Sequence, residues 1–257
     1  MFKEKMTTPA IPERVFALCK LAEKGTCSSA ELRQKMEPDF LENGSVYFNE
    51  YKIAAEELGL ISISDDYISL AVEPIIVKDI ESMRRYINSR LELLKEGQFY
   101  KVTKAYFEKG SDILRGDKNI ANLGPTFAEI IGMPVDAPAM RAWRFWAAFL
   151  GFGYLHDMFV IPNSSVFLKD VISYSRLERN HLYTVSEFIK ALTPMCNIVI
   201  SNTSTKTLSY GVSNGLRSLQ ETKFLKLEHI HDQEDMWTLY PLKAYSNDST
   251  ITHITIM

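Results

Sequence analysis

Hydrophobic and polar positions follow the same order in three separate stretches of the chain. In each, a Ser/Thr-x-x-Glu box opens a short apolar segment with helical spacing, and a second amphipathic segment follows. Two short runs of alternating apolar and polar residues, separated by a polar turn, complete each copy. The pattern predicts three helix–turn–helix–hairpin units. The boxes are Ser28/Glu31, Thr126/Glu129 and Thr184/Glu187.

The second amphipathic helix of each unit has its own apolar stripe and its own terminating residue. In the first unit the stripe is followed by glycine, the residue expected just past a helix end. The second unit repeats these positions at a constant offset of 92 residues, and the third has Lys223 in place of glycine, a departure because non-glycine residues disfavour positive φ. The positions are Phe48, Tyr51, Ala55, Leu58 and Gly59; Met140, Trp143, Ala147, Leu150 and Gly151; and Val212, Leu216, Leu219 and Lys223.

These repeats predict three units joined by a helical linker, an α+β class that is mainly α with small β-hairpins. The hairpin turns are expected at Asp65-Asp66, at His156-Asp157 and over 232–235, where FLKLEHI would pair with MWTLYPL. The predicted units span 8–72, 97–164 and 165–245, the linker 73–96, and a C-terminal tail 246–257.

The three stretches resemble the winged-helix superfamily, and VSNGLRSLQETKFLKL resembles the recognition helix and first wing strand of many bacterial regulators. The resemblance implies tandem winged-helix modules over most of the chain. It does not specify a function, because this fold serves many unrelated ones. Tandem winged-helix subunits also occur as partner-binding accessory proteins of SMC-type DNA-handling complexes, and the near-neutral charge of this chain is similar in character. Alternating amphipathic helices and hairpins are also common in unrelated proteins.

Charge and cysteine usage narrow the class of protein. The net charge is −3, and the first 72 residues carry 12 acidic against 8 basic side chains. No segment has the positive excess expected of a dedicated, sequence-independent nucleic-acid binder. Three cysteines form no CxxC pair, and no apolar run is long enough to span a bilayer, so we expect a cytoplasmic, bacterial protein without membrane contact.

Two motifs suggest enzyme or metal chemistry, and neither is complete. Gly211-Val212-Ser213-Asn214-Gly215 reads G-x-S-x-G, the nucleophile elbow of some hydrolases, and Asp232 or Asp248 and then His253 follow in the required order. The motif, however, lies within a predicted helix and not after a buried strand. His229 and His231 share a strand face but lack a nearby third ligand. We therefore expect no enzyme activity, no metal and no cofactor.

Double-stranded DNA is the ligand that the third unit's second amphipathic helix would suit. Short hydroxyls, an amide and an arginine lie off its apolar stripe, and such groups pair with base edges and phosphates. Two arginines on the second unit's helix are further candidates, although intramolecular ion pairing also accounts for them. The predicted DNA-contact residues are Lys206, Ser209, Tyr210, Ser213, Asn214, Arg217, Arg141 and Arg144.

Protein contact is the prediction for the first unit, whose acidic helix would repel phosphates. The aromatic density of the second unit exceeds what one small core needs, which indicates an interface between units or with a partner chain. The leading hypothesis is a non-enzymatic protein that contacts DNA through its third unit and a partner protein, or a second copy, through its first. The rival is a purely protein-binding scaffold or accessory subunit of a multi-protein DNA-handling or genome-defence complex.

Overall fold

The computed structural model describes residues 1–40, 47–242 and 249–257. The described residues are 48% helix and 14% strand with small antiparallel sheets, which confirms the predicted α+β class. None of the described helices combines the length and apolar character needed to cross a membrane.

The first unit builds a three-stranded sheet against three helices. The third strand in sequence lies between the first and the second, and both pairs are antiparallel. Asp65 and Asp66 both have positive φ, 49° and 67°, which confirms the predicted two-residue turn. The elements are α1 (Pro12–Ala22), β1 (Cys27–Ser28), α2 (Ser29–Met36), α3 (Phe48–Glu57), β2 (Ile61–Ser64) and β3 (Tyr67–Leu70).

The linker is ordered and helical, as the sequence predicts, and its main helix is α4 (Ile80–Asn88). Asp79 caps it by accepting a 2.7 Å hydrogen bond from the Ser82 backbone N–H. Met83, Ile87 and Leu91 are buried, so this segment belongs to the core and does not act as a free tether.

The second unit has the predicted helices and hairpin but a sheet of only two strands. Where the other units have a short first strand, residues 120–123 form a 3-10 turn, and Ile120 N–H donates to the Met158 carbonyl. Its elements are α5 (Gln98–Glu108), α6 (Gly124–Ile131), α7 (Ala137–Phe149), β4 (Gly153–His156) and β5 (Phe159–Pro162).

Aromatic residues of the second unit fill the contact with the first. Phe2 is fully buried, and its ring lies edge-on to Phe99 and Trp146, with centroids 5.1 and 4.7 Å apart. The Trp146 indole N–H donates to the Ala10 carbonyl. The aromatic density noted in the sequence therefore serves, in these contacts, an interface between units of the same chain.

The third unit repeats the strand order of the first, but its last strand is not the predicted one. Its central strand is β10 (His253–Ile256), which pairs with both β6 (Leu182–Thr184) and β7 (Leu225–Glu228). The predicted partner MWTLYPL instead contributes β8 (Trp237–Thr238) to a separate pair with β9 (Thr250–Ile251). The elements are α8 (Ser165–Tyr174), β6 (Leu182–Thr184), α9 (Val185–Leu192), α10 (Tyr210–Glu221), β7 (Leu225–Glu228), β8 (Trp237–Thr238), β9 (Thr250–Ile251) and β10 (His253–Ile256).

The prediction of a separate tail over 246–257 is therefore wrong for its described residues. Ile251, Ile254 and Ile256 are buried, and β10 occupies the middle of the third unit's sheet. Residues 243–248, which include the rest of the predicted tail, lie outside the described residues.

The three boxes differ in the structure. Thr184 and Glu187 form the complete reciprocal capping box. Ser28 accepts from Glu31 N–H, while the Glu31 carboxylate binds Lys35 at 2.7 Å. The Thr126/Glu129 box is wrong, because α6 already begins at Gly124 with a proline in its first turn, and Thr126 lies inside the helix.

All three terminating positions have the left-handed backbone that the pattern predicts. The φ angles are 67° at Gly59, 83° at Gly151 and 58° at Lys223. At Gly151 the backbone is also crowded, since an added Cβ would lie 2.5 Å from the Phe167 nitrogen. Lys223 shows that the geometry of the helix end is kept even where the residue does not favour it.

Candidate functional site

Helix α10, predicted to read DNA, is packed inside the protein. No residue between Tyr210 and Gln220 is exposed. Gly211 and Gly215 lie on the side facing the second unit, where an added Cβ would come within 2.5 Å of Phe107 Cε1 and of Ser164 Oγ, respectively. The two glycines let the helix approach the second unit closely, a role available only to a residue without Cβ.

Two of the predicted DNA contacts, Ser213 and Arg217, are internal hydrogen-bonding groups. Ser213 is fully buried; its Oγ accepts from Tyr240 N–H at 2.8 Å and donates to the Leu208 carbonyl. Arg217 is 4% exposed, and its Nη1 donates to the Tyr240 carbonyl at 2.8 Å. Both side chains hold the segment around Tyr240 in place. The prediction that they contact a duplex is therefore wrong.

The neighbouring candidates on α10 also face protein. Asn214 Nδ2 donates to the Pro162 carbonyl at 3.3 Å, which ties the helix to the end of β5. The Tyr210 ring lies edge-on to Tyr240, with centroids 5.2 Å apart. Ser209 precedes the helix as its N-cap residue and is half-buried. Asn214 therefore belongs to an interface between units, and Tyr210 packs within the third unit.

Lys206 lies before α10 in an ion pair with Asp235, at 3.0 Å. Burial raises the pKa of the Asp235 carboxyl, but hydrogen bonds from the Ser186 hydroxyl and backbone N–H, with those from Lys206 and Trp237, outweigh it and lower the pKa to about 2. The carboxylate thus joins α9 to the segment that precedes α10.

Asp235 is expected to stabilise the fold in a pH-dependent way. Because its folded pKa lies below the ordinary value of 3.8, the stabilisation is complete above about pH 4 and is lost as the pH falls towards 2. Asp235→Asn should lower the free energy of unfolding by about 1 kcal/mol at neutral pH, after allowance for solvent screening. Urea titrations at several pH values should show the two proteins converging in acid; a constant difference would contradict this assignment.

The arginines of α7 divide between solvent and protein. Arg141 is exposed and could meet a ligand. Arg144 is half-buried; its guanidinium lies 4.8 Å from the Phe145 ring centroid, and its Nη1 contacts Met158 Sδ at 2.6 Å. Of the eight predicted DNA contacts, Arg141 is exposed, and duplex binding by the chain stays a prediction.

The G-x-S-x-G motif lies within α10 and not at a strand-to-helix turn. Both hydrogen-bond partners of Ser213 Oγ are backbone groups, whereas His253 Nδ1 lies 2.9 Å from Thr252 Oγ1. Asp232 is exposed in a loop, and Asp248 lies outside the described residues. The motif's glycines serve helix packing, as described above.

The His229 and His231 rings contact each other, with centroids 5.2 Å apart. His229 Nδ1 is 3.2 Å from the Thr250 hydroxyl. In the part of the chain that the structure describes, no three histidine, cysteine or acidic side chains come together as a metal would require.

The corresponding helix of the first unit, α3, presents an open face. Asn49, Ile53 and Glu56 are exposed along one side of it, at helical spacing, and Ile53 keeps 45% of its surface in contact with solvent. Tyr47, also 45% exposed, lies at the start of the helix. We call these four residues the α3 face. Sequence reasoning identified its acidic character but not the exposed isoleucine.

Glu57, another acidic residue of α3, is not part of this face. Its Oε2 accepts hydrogen bonds from the Met1 ammonium at 2.9 Å and from the Phe2 backbone N–H at 2.6 Å. Lys52 turns away from the face as well, because it lies over the Phe48 ring and donates to Ser29 Oγ. The exposed side of α3 therefore has Ile53 at its centre, with the Glu56 carboxylate and the Asn49 amide beside it.

Searches with this chain against protein-family models, characterised proteins and solved structures return no significant match.

Proposed function

We propose that the chain is a non-enzymatic, tandem winged-helix protein that acts as an accessory or scaffold subunit and binds a partner protein through the α3 face. The strand order of the first and third units supports the winged-helix assignment. In both, a short strand precedes two helices, and a later strand pairs with it and with the intervening strand. The second unit is a reduced version with two strands.

The observation that carries the proposal is the contrast between α3 and α10. In helix-turn-helix proteins the second helix of the motif contacts the ligand. Here α10 is packed between the second unit and the rest of the third, whereas α3 has an exposed face. In the first unit, therefore, α3 can contact a ligand as the second helix of the motif does in other helix-turn-helix proteins.

The chemistry of the α3 face favours protein over DNA. An exposed isoleucine contributes to affinity only when it enters an apolar surface, and a desolvated apolar centre with a polar rim is typical of protein interfaces. Glu56 beside it, within the first 72 residues, whose net charge is −4, would repel phosphates. We therefore place the protein-binding role ahead of duplex recognition, and the expected partner has an apolar pocket with basic residues around it.

Ile53→Arg tests the proposal. The substitution puts a charge at the centre of the α3 face, so a partner that co-purifies with the wild-type chain from its own host should be reduced at least tenfold. Quantitative mass spectrometry of affinity-purified material measures the change. The fold should persist because the side chain is already exposed.

Ile75→Arg is the matched control, since Ile75 is 56% exposed and belongs to the linker, outside the α3 face. It should leave co-purification unchanged. Equal loss in both variants, or retention of every partner by Ile53→Arg, would refute binding through the α3 face.

A further inference from the structure

A cationic cleft lies between the linker and the third unit, and it shares no residue with the α3 face. Its walls come from α4, α8 and the end of β10, and its volume is about 570 Å³. That is the size of a small-ligand site and too small to admit a duplex. We call it the cationic cleft. Its charged residues are Arg84, Arg85, Lys169 and Arg179 against Glu81 and Asp170.

The two carboxylates of the cleft are already neutralised. Asp170 is buried and accepts from Arg84 through both oxygens, at 2.8 and 3.3 Å, and from Asn88. Glu81 accepts from Arg85 at 3.2 Å. Lys169 and Arg179 are exposed at the rim and supply the positive excess. In a chain of net charge −3, this local excess is a specific feature of the surface.

Aromatic rings accompany these cations. The Lys169 ammonium lies 5.2 Å from the centroid of Phe224, which lines the cleft. Tyr174, 46% exposed, ends α8 between Ser173 and Ser175, which line the cleft. Burial raises the pKa of Tyr174, and the negative charge of Asp170 raises it further. Basic side chains with exposed aromatic rings are the combination that holds single-stranded nucleic acid, since phosphates meet the cations and bases stack on the rings.

We propose that the cationic cleft binds single-stranded nucleic acid, with Lys169 and Arg179 on the phosphates and Tyr174 stacked on a base. The site is independent of the α3 face, so an accessory subunit could hold a protein and an unpaired strand at the same time. It also differs from the predicted duplex contacts, because none of its side chains comes from α10.

Fluorescence anisotropy of a labelled oligothymidylate of about 20 nucleotides tests this proposal with the full chain. Binding at about 50 mM salt should weaken as salt rises. Lys169→Ala with Arg179→Ala should reduce affinity about tenfold and flatten the salt dependence. Tyr174→Ala should also reduce affinity about tenfold but leave the salt slope unchanged, and Tyr174→Phe should bind like the wild type.

Lys24→Ala with Lys190→Ala is the charge-matched control, because both lysines are exposed and neither lines the cleft. It should bind like the wild type. Equal losses in the control and cleft variants, or no binding at low salt, would overturn the proposal. So would a duplex of the same length that binds as tightly, or polyglutamate that competes as well as the oligonucleotide. Thermal unfolding of each variant verifies that the fold is intact.

Discussion

Replacing Gly215 by leucine is expected to lower the free energy of unfolding by about 3 kcal/mol and to separate α10 from the second unit. The reason is geometric. An added Cβ would lie 2.5 Å from Ser164 Oγ and 2.9 Å from both the Ser164 carbonyl carbon and the Ser165 nitrogen. The hydroxyl can rotate away, but the backbone atoms cannot, so the helix itself has to move. Urea denaturation measures the loss.

Asn214→Ala provides the comparison at the adjacent position. It removes one side-chain hydrogen bond, to the Pro162 carbonyl, and creates no overlap. We expect it to lower the free energy of unfolding by about 1 kcal/mol. If the leucine variant lost no more stability than this one, close approach of α10 to the second unit would not be a requirement of the fold.

Removal of the Asp170 carboxylate is also expected to lower the free energy of unfolding by about 3 kcal/mol. The carboxylate is buried and bonds to Arg84 and to Asn88, whose amide also donates to the Leu150 carbonyl at the end of α7. One group therefore joins the linker to the second and third units. Asp170→Ala leaves the Arg84 guanidinium and the Asn88 amide without their shared acceptor, and chemical denaturation measures the consequence.

Two further variants separate the contribution of the buried ion pair from that of the hydrogen bond and from the loss of a carboxylate as such. Asp112→Ala removes an exposed carboxylate 3.5 Å from Arg115 and should change stability little. Arg84→Met combined with Asp170→Leu removes both charges, and it should recover part of the loss, since no charge is then buried alone. A double variant no more stable than Asp170→Ala would show that the hydrogen bond from Asn88, and not the ion pair, accounts for the loss of stability.

The features that sequence reasoning predicted well are those set by local geometry. Helix ends at Gly59 and Gly151 and the turn at Asp65-Asp66 depend on a few neighbouring residues, and their φ angles agree with the expectation. Lys223 was placed by the spacing of its helix alone, against its own preference, and the structure agrees there too. Thr126 failed because a proline upstream started the helix earlier.

The features that it missed depend on contacts distant in the chain. Short polar residues on α10 suit a DNA surface and a tight protein interface equally, and only the folded chain shows that Pro162 and Tyr240 are their partners. The four-residue spacing of Gly211 and Gly215 was an available signal of close packing, because glycine on one helix face leaves room for a neighbour. The same two glycines complete the G-x-S-x-G pattern, which by itself gives no indication of helix packing.

The central position of β10 has a consequence for the order in which the protein acquires its structure. On a ribosome, the first unit can close its sheet as soon as residue 70 has emerged, since all three of its strands are then present. The third unit must wait for residues 253–256, and until then β6 and β7 are unpaired edges open to other chains. During synthesis a chaperone would therefore have to shield the edges of β6 and β7. A chain released from the ribosome before β10 is made would keep both edges exposed.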